Sequence, residues 1–239
     1  MKIDKDLCIN CELCIPYCPM GAIRQGTDTP EIVQDECVEC NICRHSGVCP
    51  AEALVVPELD YPRVLRRDFS DPLKTHPSTN VPGRGTEEMK TNDVTGRFKR
   101  GWAGIAVELG RPGTGTRFRD VQKVSMAVAS MGIAFEEKNP TTSIMVDKTK
   151  GTLPPEVLDE KVLSAIVEFA VPQSRVVEVL TRLKEVAPTL DTVFSLDLSC
   201  RVEPDGSVPT VELAKAAGFT PSINGKLNVG LGRPRAKED

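Results

Sequence analysis

Cys8-Ile9-Asn10-Cys11-Glu12-Leu13-Cys14-Ile15-Pro16-Tyr17-Cys18-Pro19, and then Cys37-Val38-Glu39-Cys40-Asn41-Ile42-Cys43-Arg44-His45-Ser46-Gly47-Val48-Cys49-Pro50: these two stretches hold eight of the chain's nine cysteines. The first reads C-x2-C-x2-C-x3-C-P and the second C-x2-C-x2-C-x5-C-P. Disulfide frameworks belong to short secreted chains, and no export segment precedes Cys8. Structural zinc uses C-x2-C pairs, not a third cysteine two residues further on, twice over. The blocks need a different chemistry.

Three thiolates two residues apart can wrap one corner of an iron–sulfur cubane, and a cysteine followed by proline turns the chain away from that corner. In these motifs residues 1–57 resemble bacterial two-cluster [4Fe-4S] ferredoxins. The resemblance implies two [4Fe-4S] clusters with crossed ligation: Cys8, Cys11, Cys14 and Cys49 for the first, Cys37, Cys40, Cys43 and Cys18 for the second. One departure is the five residues Arg44 to Val48, where the commonest pattern has three. It bears on the surroundings and potential of the second cluster. The C-x3-C-x2-C spacing of radical-SAM enzymes is absent.

The block is duplicated beyond its cysteines. Ile3-Asp4-Lys5-Asp6-Leu7-Cys8 is echoed by Ile32-Val33-Gln34-Asp35-Glu36-Cys37, and Pro19-Met20-Gly21-Ala22-Ile23 by Pro50-Ala51-Glu52-Ala53-Leu54. Each half is expected to give a short strand, a cluster loop and a helical turn after the Cys-Pro pair. Tyr17 is expected to pack over a cubane and His45 to be a loop residue. Residues 1–56 carry four basic and nine acidic side chains, an acidic surface suited to a basic partner.

At 239 residues the chain has room for this module and one further domain. With 40% apolar and 27% charged residues it reads as a soluble globular protein, and no apolar run reaches the ~20 residues of a membrane span. Reduced thiolates without an export signal lead us to expect a cytoplasmic protein of an anaerobe.

Residues 58–101 read as an extended linker, with Pro57, Pro62, Pro72, Pro77 and Pro82 recurring and no lasting apolar period. Tyr61, Leu65 and Phe69, with Arg63, Arg66 and Arg67, favour a docking arm over a bare tether. Gly83-Arg84-Gly85-Thr86 and Thr95-Gly96-Arg97 could bind phosphate through backbone amides, but neither follows a strand and opens a helix, so they read as ordinary turns.

Residues 102–239 alternate strands and helices. Ile105, Val107 and Leu109 mark a strand, Pro112 breaks it, Thr116 is expected to cap a helix through Met131, and a bent strand follows through Val146. Val162–Val171 is a second strand, Ser174 caps a helix through Ala187, and Thr192–Val202 is a third strand that places Cys200 on its apolar face. A helix from Thr210 to Ala217, a turn at Asn224-Gly225 and a frayed tail complete the chain. Two βαβ units in tandem predict an α+β, split-βαβ plait of the ACT-like kind, with a small open α/β sheet as the alternative. The loop Gly110–Thr116, with Arg111, Arg117 and Arg119 near it, is a glycine-rich turn that could also hold an anion.

Fully cysteine-ligated clusters leave no iron open to substrate, so we expect an electron-transfer subunit and no catalysis by this chain alone. Its partners would be a catalytic oxidoreductase subunit and an electron-donor protein, in a hetero-oligomer. Residues 91–116 resemble the ferredoxin-bearing part of 6-hydroxynicotinate reductase-type enzymes, which implies a low-potential partner. A redox-responsive regulator with a metabolite-binding ACT-like domain is the second reading. Nucleic acid is not expected, since aromatics are 4% and the net charge is −4.

Overall fold

The computed structural model describes residues 1–83, 99–111 and 113–223. Its N-terminal module follows the duplication. Strand β1 (Lys2–Ile3) sets Ile3 opposite Leu54 of β4 (Leu54–Val55), and β2 (Ile23–Arg24) sets Ile23 opposite Ile32 of β3 (Glu31–Ile32). The first strand of each half therefore pairs with the last strand of the other, closing the module on itself.

Between the strands the chain traces one path twice. Asn10 and Glu12 in the first loop, and Glu39 and Asn41 in the second, have left-handed φ of 53°, 60°, 55° and 56°. Gly21 and Glu52, each three residues past a Cys-Pro cysteine, form a third matching pair at 59° and 51°. Those positive φ angles are why no helix follows Pro19 or Pro50, contrary to the sequence expectation. The helical turns lie inside the cysteine blocks instead, a 3-10 turn at Ile15–Tyr17 and α1 at Ile42–His45. The longer second block thus makes a full α-turn where the shorter one makes a tighter turn. Met1, Ala22, Ile23, Cys37, Cys43 and Leu54 form the buried centre, with Cys14, Cys18 and Cys49 packed against it.

The expected extended linker holds a helix, α2 (Val64–Ser70). Pro62 and Pro72 bracket it and leave room for two turns, too few to register as a period in the sequence. Leu65 and Phe69, four residues apart, face the second domain, where the Phe69 ring meets Phe118 edge-on at 5.0 Å. Arg66 turns toward the module. Its Nη1 donates to the carbonyls of Gln34 (3.1 Å), Asp35 (2.9 Å) and Cys37 (2.9 Å), while its Nε pairs with Glu160. The docking-arm reading is corrected for residues 64–71: this segment is ordered by lying across the chain's own two halves.

The second half is built on β5 (Trp102–Leu109), which pairs antiparallel with β8 (Ala165–Pro172) on one side and β9 (Phe194–Ser199) on the other. Ala103, Ile105, Val107 and Leu109 point into the main core, as their alternation requires, against α3 (Phe118–Ala129) and α5 (Val176–Val186). A small ladder of β6 (Thr116–Arg117) and β7 (Lys161–Val162) lies beside them, and α6 (Pro209–Ala216) packs on α5. Thr116 is in β6 and does not cap α3; Ser174 lies in a 3-10 turn before α5. The bent strand expected through Val146 shrinks to one bridge, Phe135 to Phe169. Asn139 stops it by accepting from the Thr141 amide at 2.8 Å, and Pro140 opens the short helix α4 (Pro140–Ser143). No helix among the described residues is long and apolar enough to cross a membrane. Residues 84–86 of the Gly83–Thr86 turn, the Thr95–Arg97 turn, Pro112, the Asn224-Gly225 turn and the tail fall outside the described residues, as do 91–98 and 112 of the stretch 91–116.

The module and the second domain meet through charge. Arg117 pairs with Asp35 at 2.7 Å, and Lys161 with Glu36. Glu39, buried, is held by the Met1 amino group and by Arg63 Nη2 at 2.5 Å. Arg111 is taken up by Glu108 and Arg119 by Asp159, so the expected arginine cluster at the glycine-rich loop is spent on ion pairs. Gly115 lets the module approach, since a Cβ there would stand 2.6 Å from Met20 Cε.

Replacing Arg66 by Met leaves three carbonyls and Glu160 without their donor. It should lower stability by about 3 kcal/mol, as breaking a buried pair does, read as a lower urea midpoint of the cluster-loaded chain. The acids at this junction add a pH dependence. Arg117 holds Asp35, and Lys161 holds Glu36, below the usual carboxylate range. Burial opposes ionisation of Glu39, but the Met1 ammonium and Arg63 outweigh it and its carboxyl is also lowered. Depressed carboxyls contribute stability above their unfolded pKa and lose it as pH falls through the folded value. The gap in urea midpoint between wild type and Glu39→Gln should therefore narrow between about pH 6 and about pH 3; a gap that stays constant would discard the ion pair.

Candidate metal centre

The paired left-handed residues flank the middle cysteine of each loop, and the three cysteines of a block line one space together. One small cavity is lined by Cys8, Cys11, Cys14 and Cys49, with Ile3, Pro30 and Leu54 among its apolar walls. Another is lined by Cys18, Cys37, Cys40 and Cys43, with Ile23, Ile32 and Asn41. Each space thus draws three cysteines from one block and the proline-linked cysteine from the other. The Ala22 amide donates to Cys18 Sγ at 3.2 Å and the Ala53 amide to Cys49 Sγ at 3.3 Å, again at matching positions.

The two sets differ in shelter. Cys37, Cys40 and Cys43 are buried, while Cys11 is exposed and Cys8, Cys14, Cys18 and Cys49 are half-buried. Burial pushes the Cys40 thiol up to about 11, with Cys37 and Cys18 adding to it, and Cys43 up to about 12, with Cys40, Cys18 and Cys37 adding. Burial also raises Cys14 and Cys37. Such thiols are poor nucleophiles at neutral pH. They become thiolates when a positively charged iron core stands beside them, so the donor set fits a cluster-holding role. Among the described residues no three such side chains close around a single metal ion. A cubane does not require that, because its irons hold the thiolates apart.

Other expectations fare unevenly. Tyr17 is 48% exposed at the end of its 3-10 turn and lines neither cavity. His45 ends α1 and its Nε2 lies 3.2 Å from Asp71 Oδ1. Cys200 sits just past β9, half-buried, with Sγ 3.3 Å from Thr210 Oγ1. Asn41 was not singled out from the sequence. It borders the second cavity and donates to Asp71 Oδ2 at 2.7 Å, tying the cluster loop to the end of α2. An asparagine between two cysteines of a tight loop was its only signal.

Residues 1–24 match the 4Fe-4S binding domain family. Ferredoxin-3 of Chlorobaculum tepidum is 39% identical over 59 residues, which are 23% of this chain and 94% of that protein. The chain belongs to the ferredoxin family. This ferredoxin is also similar to Pyruvate synthase subunit PorD of Methanothermobacter marburgensis, 42% identical over 52 residues, 22% of the chain and 58% of that protein. Ferredoxin YfhL of Escherichia coli is 52% identical over 33 residues, 14% of the chain and 38% of that protein. The chain thus spans less than two thirds of the length of these last two relatives. No solved structure matches it. Iron–sulfur electron transfer is accordingly the function of its ferredoxin segment.

With thiols for a core, the ferredoxin module should depend on its iron. Chelation under mild acid should abolish amide-exchange protection in β1 to β4 while β5 and β8 keep theirs. Protection of the module in the iron-free chain would show that its apolar residues suffice.

Proposed function

We propose that this ferredoxin carries two [4Fe-4S] clusters, one on Cys8, Cys11, Cys14 and Cys49 and one on Cys18, Cys37, Cys40 and Cys43. It passes single electrons between a donor protein and the catalytic subunit of a low-potential oxidoreductase complex. The observation that carries this reading is the sorting of the eight cysteines into two cavities, three and one from each block. Four thiolates per cluster occupy every iron, so the chain moves electrons and leaves substrate chemistry to its partner. The similarity to PorD, a pyruvate synthase subunit, supports a place within a complex.

The surface favours one docking face. Leu7, Ile9, Leu13 and Tyr17 are all about half exposed or more around the first cysteine block. An apolar rim of that kind is what a partner covers. The second block is backed by α2 and the second domain, so electrons enter and leave chiefly across the first. That domain reads as a split-βαβ plait with a worn edge: the order β9, β5, β8, then the Phe135 bridge, supports it. Its role is to brace the module. Eight thiols held reduced suit the cytoplasm of an anaerobe.

Anaerobically purified chain should hold about eight irons and eight labile sulfides. Cys49→Ser should damage the cluster of Cys8, Cys11 and Cys14, and Cys18→Ser that of Cys37, Cys40 and Cys43, with Cys200→Ser harmless to both. About four irons, or damage confined to the mutated block, would reject the assignment.

A further inference from the structure

Between α1 and the end of α2 lies a cleft of about 660 Å³, lined by Asn41, Arg44, His45, Val56, Arg67, Asp71, Leu73 and Lys74. We propose that it binds a small organic oxyanion, a carboxylate or a phosphate ester, beside the second thiol set.

The charge balance of the lining makes the case. The junction arginines Arg63, Arg66, Arg117 and Arg119 all have carboxylate partners. Arg44 and Arg67 have no side-chain partner among the described residues. The Arg67 Nε is shut away from solvent with no acceptor. A guanidinium stripped of part of its water and left unpaired gains more from an incoming anion than a fully hydrated one does. The cleft has one carboxylate, Asp71, and it is already engaged. It accepts from Asn41 Nδ2 at 2.7 Å and the Leu73 amide at 3.0 Å, and lies 3.2 Å from His45 Nε2. Lys74 is neutralised by Asp68. Two arginines are left over, and paired guanidiniums recognise oxyanions in a bidentate way that lysines do not.

Size and wall chemistry narrow the class. The volume falls in the range of ~300–1,000 Å³ typical of small-ligand sites. Val56 and the exposed Leu73 give one flank an apolar surface, so the anion carries a short organic body. Asn41 lines both this cleft and the cavity of Cys18, Cys37, Cys40 and Cys43. An anion in the cleft therefore stands one side chain from that thiol set. Its charge opposes the arrival of an electron there, so by reciprocity the reduced protein binds it more weakly. This linkage rests on the two-cluster reading; the binding itself does not.

The test is calorimetric titration of the full oxidised chain with benzoate and, separately, inorganic phosphate, at fixed ionic strength with chloride as control. Saturable binding with Kd of about 1 mM or tighter is expected for at least one of them. Arg67→Gln and Arg44→Gln should each weaken it at least about tenfold. Arg44 is exposed, so its variant keeps the test alive if the Arg67 variant loses its iron. Preference for benzoate assigns a carboxylate ligand, and preference for phosphate a phosphoryl one. No saturation by either, or equal affinity in the Arg44 variant, overturns the site. Repeating the titration after dithionite reduction should raise Kd several-fold, and an unchanged Kd rejects the linkage. Iron content, measured separately, reports on the clusters themselves.

Discussion

One guanidinium holds this molecule together. Arg66 is 4% exposed and spends its donors on three carbonyls of the module and one carboxylate of the second domain. The carbonyls belong to Gln34, Asp35 and Cys37, the approach to the second cysteine block. A buried arginine loses its hydration, and the loss is offset only when its donors are met. Here at least two nitrogens are met, from both sides of the junction, so neither half can move without unpairing a charge. The ion pairs of Arg117 and Lys161 lie around it, nearer solvent, and contribute less. Leu65 and Phe69, one residue to the N-terminal side and three to the C-terminal side of Arg66, enter the other core. A helix of seven residues is thus fixed by a polar face on one domain and an apolar face on the other.

The module itself is the opposite case, a structure with little of its own to hold it. Five non-glycine residues in its two loops and turns sit in left-handed backbone, at roughly 1–2 kcal/mol each. Its strands are two residues long. The strain gathers three thiols where one bonded iron core could use them, and thiol-to-iron bonds are what offset it. The second domain offers further support from outside, through Arg66 and the junction acids.

Where the sequence was legible, one kind of residue dominated locally. Cysteine spacing announced the loops, and the apolar alternation of Ile105, Val107 and Leu109 announced β5. It was illegible where two local signals competed. Five prolines between residues 57 and 82 argued for extended chain, yet the ten-residue gap from Pro62 to Pro72 accommodates α2, whose helical evidence is a single Leu65–Phe69 pair. Thr116 had the side chain of a helix cap, but pairing with Val162 took it into a strand and the helix began two residues later. After Phe135 the run Glu136-Glu137-Lys138-Asn139-Pro140 ended the strand, and the apolar Ile144 to Val146 beyond it had suggested that it went on. The loop at Gly110 was read as a glycine-rich turn that could also hold an anion, and the fold gives its arginines acidic partners instead, Glu108 for Arg111, Asp35 for Arg117 and Asp159 for Arg119. The cleft arginines were the reverse: Arg44 and Arg67 are 23 positions apart, and only the fold sets them on one surface.

The asymmetry of the two thiol sets follows from the same junction. Because Arg66 grips the carbonyl of Cys37 and Asn41 grips Asp71, the second set lies on the side that meets the second domain. The first set is left outward, with Leu7, Ile9 and Leu13 around it. Electron transfer weakens steeply with distance, so a partner must come close to the set it serves. The outward set can be approached directly over an apolar rim. Beside the inward set, where α1 meets the end of α2, lies the cleft lined by Arg44 and Arg67. The second domain therefore leaves the two ends of the module unlike: an apolar rim of Leu7, Ile9 and Leu13 at one, and a cleft lined by Arg44 and Arg67 at the other.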